Sequence, residues 1–277
     1  FDSEVYDNEA VYLPSARTGF VLTKDIINRV GRNQTFNYIP VINEETDDEI
    51  KDSDSVVQTA QPFTRPINHF LDLMTSLSTD QKAPFEELVT FVETHMTKGT
   101  VDLSRLPGNE LRYIPQGLGR DLPIRVASSV VTELSPLVLF MEHLKEMKGV
   151  FYEEPEMGLH PQLQKQVARL LIRMVNQQLI VVFTTHSDTL LQHINNMLKL
   201  LSHPDCEALQ KEYRYDDRDL LEPGLIRIYQ MKDEGDYTSV TELREGRFGF
   251  AIPTFNDALD QLLDEVYAFQ PEDEMDG

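Results

Sequence analysis

Tryptophan is absent from this chain and cysteine occurs once in 277 residues. One thiol excludes an internal disulfide framework and leads us to expect a reducing, cytoplasmic setting. Long apolar runs are missing too. Leu137 to Met141 and Leu179 to Phe183 are the longest, at five residues each, against the roughly 20 that a membrane-spanning helix needs. Basic residues are scarce, 25 Lys plus Arg against 47 Asp plus Glu, for a formal net charge of -22. Nonspecific nucleic-acid binding works by Lys and Arg displacing counterions, so this balance disfavours a DNA-coating protein. An initiator Met is also lacking, because the chain starts at Phe1; we expect it to be part of a longer protein. What is present is 40% hydrophobic residues, enough for a core, so wholesale disorder is excluded.

The acidity is concentrated. Residues 44–54 hold seven acids and one Lys, and residues 257–277 hold eight acids and no base. The first tract is nearly free of apolar side chains and reads as a solvated loop. Along the chain the pattern predicts four segments. Residues 1–62 carry a short strand at Val11-Tyr12-Leu13 and the acidic loop. Residues 63–98 have helical spacing (Phe70, Leu71, Met74, Leu77; Phe85, Leu88, Phe91, Val92), two helices parted at Ser78-Thr79-Asp80. Residues 99–148 read as a β-hairpin turning at Gln116 to Asp121, then a helix from Ser129 to Met147 stopped by Gly149. Residues 149–277 alternate strand and helix: Val150 to Tyr152, a helix opened by Pro161, Leu179 to Phe183, then a helix bearing Leu190, Leu191 and Ile194. That rhythm predicts an α/β fold with a parallel sheet. Two β-rich patches (Leu225 to Gln230, Tyr237 to Leu243) and a last helix from Phe255 to Phe269 complete the chain.

Chemistry concentrates at Val150-Phe151-Tyr152-Glu153-Glu154-Pro155-Glu156, where an apolar strand runs into three carboxylates. Ligands of parallel α/β sheets bind outside the carboxyl ends of the strands. The second strand ends in Thr184-Thr185-His186-Ser187-Asp188, so two polar clusters are expected at matching strand ends. The residues alone leave three readings open: a solvated turn, a metal hydrolase or nuclease using Glu153, Glu154, Glu156, His160 and His186, or a nucleotide site.

The motifs resemble those of a known group. Val150 to Pro161 (VFYEEPEMGLHP) is similar to the Walker B and D-loop segment of ABC-type ATPases of the RecF, SMC and OLD group. Val181 to Asp188 (VVFTTHSD) resembles their switch-histidine segment. Ala127-Ser128-Ser129, leading into Glu133-Leu134-Ser135-Pro136-Leu137, resembles their signature motif. Tyr12 to Arg17 and Ile252 to Phe255 are similar to a bacterial branch of AAA-family ATPases (AAA_15 and AAA_21 types), many of which serve anti-phage systems such as PARIS, Septu and some retrons. The resemblance implies an ABC-type ATPase head that binds ATP and Mg2+. It gives Glu153 the Mg2+, Glu154 the attacking water and His186 the γ-phosphate. Ser128 and Ser129 would meet the nucleotide of a second subunit, and Gly158 and His160 would belong to the D-loop. Arg17 is open between a phosphate or neighbouring subunit and a structural ion pair.

The sequence departs from that pattern twice. No G-x-x-x-x-G-K-[ST] loop occurs in these residues, so the resemblance places the phosphate loop upstream of Phe1. Val130 stands where the signature has Gly, which keeps open a nucleotide-binding scaffold with little turnover. A DNA-repair or chromosome-associated head is the other alternative, although residues 24–100 are too short for its coiled-coil arm. The resemblance further implies a homodimer or higher oligomer acting on a separate effector, a toxin or nuclease, with no membrane partner.

Overall fold

A computed structural model describes residues 10–24, 27, 63–78, 85–103, 111–246, 249–251 and 253–269. The acidic loop at 44–54, Thr79, Asp80, Ile252 and the chain beyond Phe269 lie outside the described residues. The chain divides into two compact units, Phe1–Leu159 with Leu179–Thr185, and His160–Gln178 with His186–Gly277.

In the first unit β1 (Ala10–Leu13) leads through residues 14–16 into helix α1, described over residues 17–24. Helix α2 (Arg65–Ser76) buries Phe70, Leu71, Leu73 and Met74, and α3 (Glu86–Val92) runs on into a π turn at Glu93–Thr97. Strands β2 (Gly99–Leu103), β3 (Leu111–Pro115) and β4 (Leu122–Pro123) form an antiparallel meander. The expected hairpin is therefore one strand larger, and Ile124–Val126 is a 3-10 turn rather than a strand. Helix α4 (Ser129–His143) follows, then β5 (Gly149–Glu153) and β6 (Ile180–Thr184).

The three strands β1, β5 and β6 pair in parallel in the order β1-β5-β6, so the expected α/β fold with a parallel sheet and flanking helices is what forms. Gly149 does not stop α4, which ends at His143. It opens β5 instead, where an added Cβ would lie 3.1 Å from the Ile180 carbonyl oxygen. One sheet face is core, with Val11, Leu13, Val150 and Tyr152 all buried. On the other face Phe151, Ile180 and Val182 are 45%, 70% and 46% exposed, whereas parallel sheets are ordinarily covered on both faces.

Helix α4 is the centre of this unit. Every residue from Val131 to Met141 is buried, as expected for a helix apolar nearly all round. Pro136 cannot donate to the Thr132 carbonyl, and the Ser135 hydroxyl does so in its place at 3.0 Å. The ladder thus tolerates a proline that would otherwise leave a buried acceptor unpaired.

In the second unit α5 (Pro161–Asn176) packs on α6 (Asp188–Leu201). His160 caps α5 with its Nδ1, and Ser187 caps α6 with its hydroxyl. Helix α7 (Cys206–Tyr213) precedes a turn in which Asp219, fully buried, accepts from Arg169 at 2.8 Å and Arg173 at 2.7 Å. Strands β7 (Ile228–Asp233) and β8 (Thr238–Leu243) make the expected hairpin. The short pair β9 (Glu245–Gly246) and β10 (Gly249–Phe250) follows. The Asn195 amide holds Phe250 like a strand neighbour, accepting from its N–H and donating to its carbonyl, both at 2.9 Å. Helix α8 (Pro253–Ala268) ends the described chain.

Candidate functional site

The carboxyl ends of β1, β5 and β6 lie side by side, with Leu13 opposite Tyr152 and Glu153 opposite Thr184. The segment after each strand is tied to the next one. Glu153 accepts from the Ser15 N–H at 3.1 Å and from the Tyr12 phenol, which burial and this carboxylate push up to about 12. Tyr12 therefore stays a protonated donor at neutral pH. These two donors fix a half-buried carboxylate at the strand end.

Glu154 continues the ladder by one residue, its N–H donating to the Thr184 carbonyl at 3.0 Å. Its backbone then turns left-handed, with φ +43°, a region that side chains bearing a Cβ rarely occupy. Three bonds hold it there: the one to Thr184, one from Met157 N–H to the Glu154 carbonyl at 3.0 Å, and one from Arg17 Nη2 to that carbonyl at 3.1 Å. The chain thus turns at once after the strand and leaves the Glu154 side chain half-buried at its end. Two residues on, the Glu156 carboxylate accepts from the Thr185 hydroxyl at 2.7 Å, joining the segment after β5 to that after β6. Gly158 has φ +69°, with open space beside it apart from Glu133.

Arg17 is the hub under this edge. It is fully buried, and its guanidinium donates to the carbonyls of Pro14 (3.1 Å), Glu153 (2.9 Å) and Glu154 (3.1 Å). Its Nε pairs with the Glu133 carboxylate at 2.9 Å, and its plane lies over the Tyr152 ring. Burial pushes the Tyr152 phenol up. Arg17 makes a structural ion pair with Glu133. Glu133 also receives the Thr18 hydroxyl on Oε1, while its Oε2 is ion-paired with Arg17 without a hydrogen bond of its own. An acid at Glu133, within the apolar stretch of α4, is the sequence signal for this network, since a buried carboxylate needs a buried cation.

Ser128 and Ser129 are exposed at the start of α4. The Ser128 hydroxyl makes no capping bond to the helix, so the first-turn amides keep their partial positive charge toward solvent. Val130 is half-buried beside them. His160 and His186, both exposed, belong to the second unit, His186 being the next residue after Thr185.

The donor set is hard oxygen, which suits Mg2+, and no thiolate lies in it. Among the described residues no three His, Cys, Asp or Glu side chains gather to hold a metal ion. Mg2+ does not require such a cage, because it is ordinarily held by one or two carboxylates, waters and the phosphates of its nucleotide. Glu153, oriented by Ser15 and Tyr12, fits that single-carboxylate role.

The family model for the AAA ATPase domain, AAA_15, matches residues 23–191. The chain belongs to this family of AAA-type ATPase domains. The matched span includes Ser128, Ser129, Glu153, Glu154, Gly158, His160 and His186 and leaves out Arg17. A search of curated proteins finds no match. Similar solved structures include SMC ATPases described for ATP-driven dimerization and DNA-stimulated activation (14% identity, 74% of this chain and 99% of that one, TM-score 0.39). An Smc head bound to the C-terminal winged-helix domain of ScpA matches at 16% identity over 57% of this chain and 43% of that one, TM-score 0.35. An Smc head from Pyrococcus furiosus, also bound to ScpA, matches at 14% identity over 66% and 37%, TM-score 0.35. At these TM-scores the likeness carries no argument, and the family rests on the matched family model.

Proposed function

We propose that this chain carries the hydrolytic half of an ABC-type ATPase head. The observation that supports this most is Glu154, held in a left-handed backbone conformation at a strand end by Thr184, Met157 and Arg17. Strained backbone of this kind clusters at active sites, where the surrounding structure over-determines it. A half-buried carboxylate so fixed is suited to accept a proton from an attacking water.

In this reading Glu153 is the residue that would hold Mg2+. Bound Mg2+ supplies charge neutralisation at the phosphates. Ser15 and Tyr12 orient the Glu153 carboxylate, and Glu156 with Thr185 keeps the two strand-end segments in register. His186 contacts the γ-phosphate. Ser128 and Ser129, at the amino end of α4, offer amides and hydroxyls to the phosphates of a second subunit's nucleotide. Gly158 and His160 form the segment that crosses between subunits, and Arg17 is a positioning residue beneath them. The cycle of assembly and hydrolysis, as dimer or higher oligomer in the cytoplasm, controls a separate effector, a toxin or nuclease of a bacterial anti-phage system.

Substituting Glu154→Gln in the full-length protein tests this. ATP turnover should fall while ATP-bound assemblies persist in sedimentation. Unchanged turnover would overturn the role of Glu154. Val130, half-buried in the first turn of α4, favours a second reading in which the assembled state forms without turnover; wild-type protein that assembles on ATP yet never releases phosphate would establish it.

A further inference from the structure

Glu133 is a carboxylate placed where stability does not ask for one. It is buried in the apolar run of α4 and paired with Arg17. A buried ion pair is commonly no more stable than well-packed apolar side chains of the same volume. What the pair has that apolar side chains lack is direction, and its bonds lead to two separate features of the site.

One is the start of α4. The Thr18 hydroxyl donates to Glu133 Oε1 and lies 3.5 Å from the Thr132 hydroxyl, which donates in turn to the Ser129 carbonyl at 3.0 Å. Ser129 and Glu133 stand about one helical turn apart on the same side of the helix. The other feature is Glu154. Arg17, held by the Glu133 carboxylate and carbonyl, donates to the Glu154 carbonyl at 3.1 Å, the oxygen that also receives the Met157 N–H. The turn that follows leans on Glu133 as well, since a Cβ at Gly158 would lie 3.7 Å from Glu133 Cγ. Glu154 is the part of this series with somewhere else to go. Backbone regions of lower energy than its φ of +43° are open to it once Arg17 lets go.

We propose that Thr18 and Glu133 are positioning residues that couple the start of α4 to the Glu154 turn within one chain, so that Glu154 is set for hydrolysis only while a second subunit's nucleotide holds α4. The proposal rests on the reading that Ser128 and Ser129 meet that nucleotide, and it adds what the contact does. Each ATP is hydrolysed on condition that the neighbouring one is bound.

ATP turnover by the full-length protein, read as a function of ATP, tests this. Wild type should be cooperative, with a Hill coefficient approaching about 2 for two coupled sites. Thr18→Val removes the hydroxyl and leaves the Arg17 bond to the Glu154 carbonyl in place. It should lower kcat roughly 2- to 30-fold and abolish cooperativity with half-saturating ATP unchanged, and Thr18→Ser should restore both. Ser129→Glu, an acid that suits a helix start but repels phosphate, should lower turnover by itself. Adding Thr18→Val to it should cost nothing further, because both act through one link. Turnover without cooperativity in wild type, a wild-type kcat in Thr18→Val, no rescue by Thr18→Ser, or losses that multiply in the double variant overturn the proposal. Wild-type turnover in Ser129→Glu overturns it together with the reading of Ser129. Hydrogen exchange at Met157, whose N–H reports the Glu154 turn, gives a readout without hydrolysis. If Glu154→Gln turns over ATP like wild type, the hydrolytic reading fails. Faster Met157 exchange in Thr18→Val but not in Thr18→Ser then sustains the link between α4 and Glu154, and no difference overturns it.

Discussion

At Glu154 glycine should be more stable than alanine, the reverse of the usual order. Its φ of +43° places a Cβ close to the following carbonyl, a cost of about 1–2 kcal/mol. Glycine relieves this but gives up more chain entropy on folding, about 0.5–1 kcal/mol relative to alanine. The difference leaves Glu154→Gly more stable than Glu154→Ala by roughly 0.5–1 kcal/mol. Both variants lack the carboxylate, so the comparison isolates the backbone from the charge. Thermal unfolding of the first unit should register a rise of about 1–4 °C in Tm from Ala to Gly, and both variants should lose turnover. Glu154→Gln keeps the Cβ and should stay near wild-type stability. If glycine is instead less stable than alanine by the ordinary margin, Glu154 is not held against its preference, and the claim that stability is given up for position there is refuted.

Arg17→Ala should destabilise the first unit by about 3–5 kcal/mol in denaturant titration, because it leaves the buried Glu133 without its cation. Replacing both residues, as Arg17→Met with Glu133→Met, should recover most of that stability but not turnover, since the Glu153 and Glu154 carbonyls lose the Arg17 guanidinium. Asp219→Ala should weaken the second unit by a similar 3–5 kcal/mol, stranding Arg169 and Arg173. Burial raises the Asp219 carboxyl, but hydrogen bonds from those two arginines outweigh it and hold it low. The Arg218 hydrogen bond foremost holds Asp216 low as well. Their stabilisation is therefore full above the ordinary carboxylate value near 4 and is lost as pH falls below it; acid titration by circular dichroism should show wild type losing stability in that window and Asp219→Ala losing less. Gly249→Ala should detach β10, because an added Cβ would lie 2.4 Å from Asn195 Oδ1, at a backbone φ of +88°. Hydrogen exchange at Phe250 should rise accordingly.

Runs of one period were legible in the sequence. The strands at 10–13, 149–153 and 180–184, and the helices opened by Pro161 and carrying Leu190, fall within a residue or two of their expected places. The errors came where long-range pairing overrode local pattern. Leu144 and Met147 extend the apolar period of α4, yet the helix stops at His143. Gly149 looked like a helix stop, when its small size serves the approach of Ile180. Strand β2 and helix α7 carry little local signal, because Gly99–Leu103 finds its partner in β3 and Cys206–Tyr213 buries almost nothing. At the site, the acids stood out because they end an apolar strand. The role of Arg17 did not, since it depends on carbonyls of Glu153 and Glu154 more than 130 residues away.

The central claim is that Glu154 acts on the reacting water and Glu153 on the metal. The most direct test is ATP hydrolysis by the full-length protein across a Mg2+ titration, with Glu153→Gln and Glu154→Gln beside wild type. Glu154→Gln should lower kcat by about 10²–10⁴-fold with ATP binding and Mg2+ requirement unchanged, whereas Glu153→Gln should raise the Mg2+ needed for half-maximal rate. Equal kcat in wild type and Glu154→Gln, or the same Mg2+ dependence in wild type and Glu153→Gln, would contradict the account.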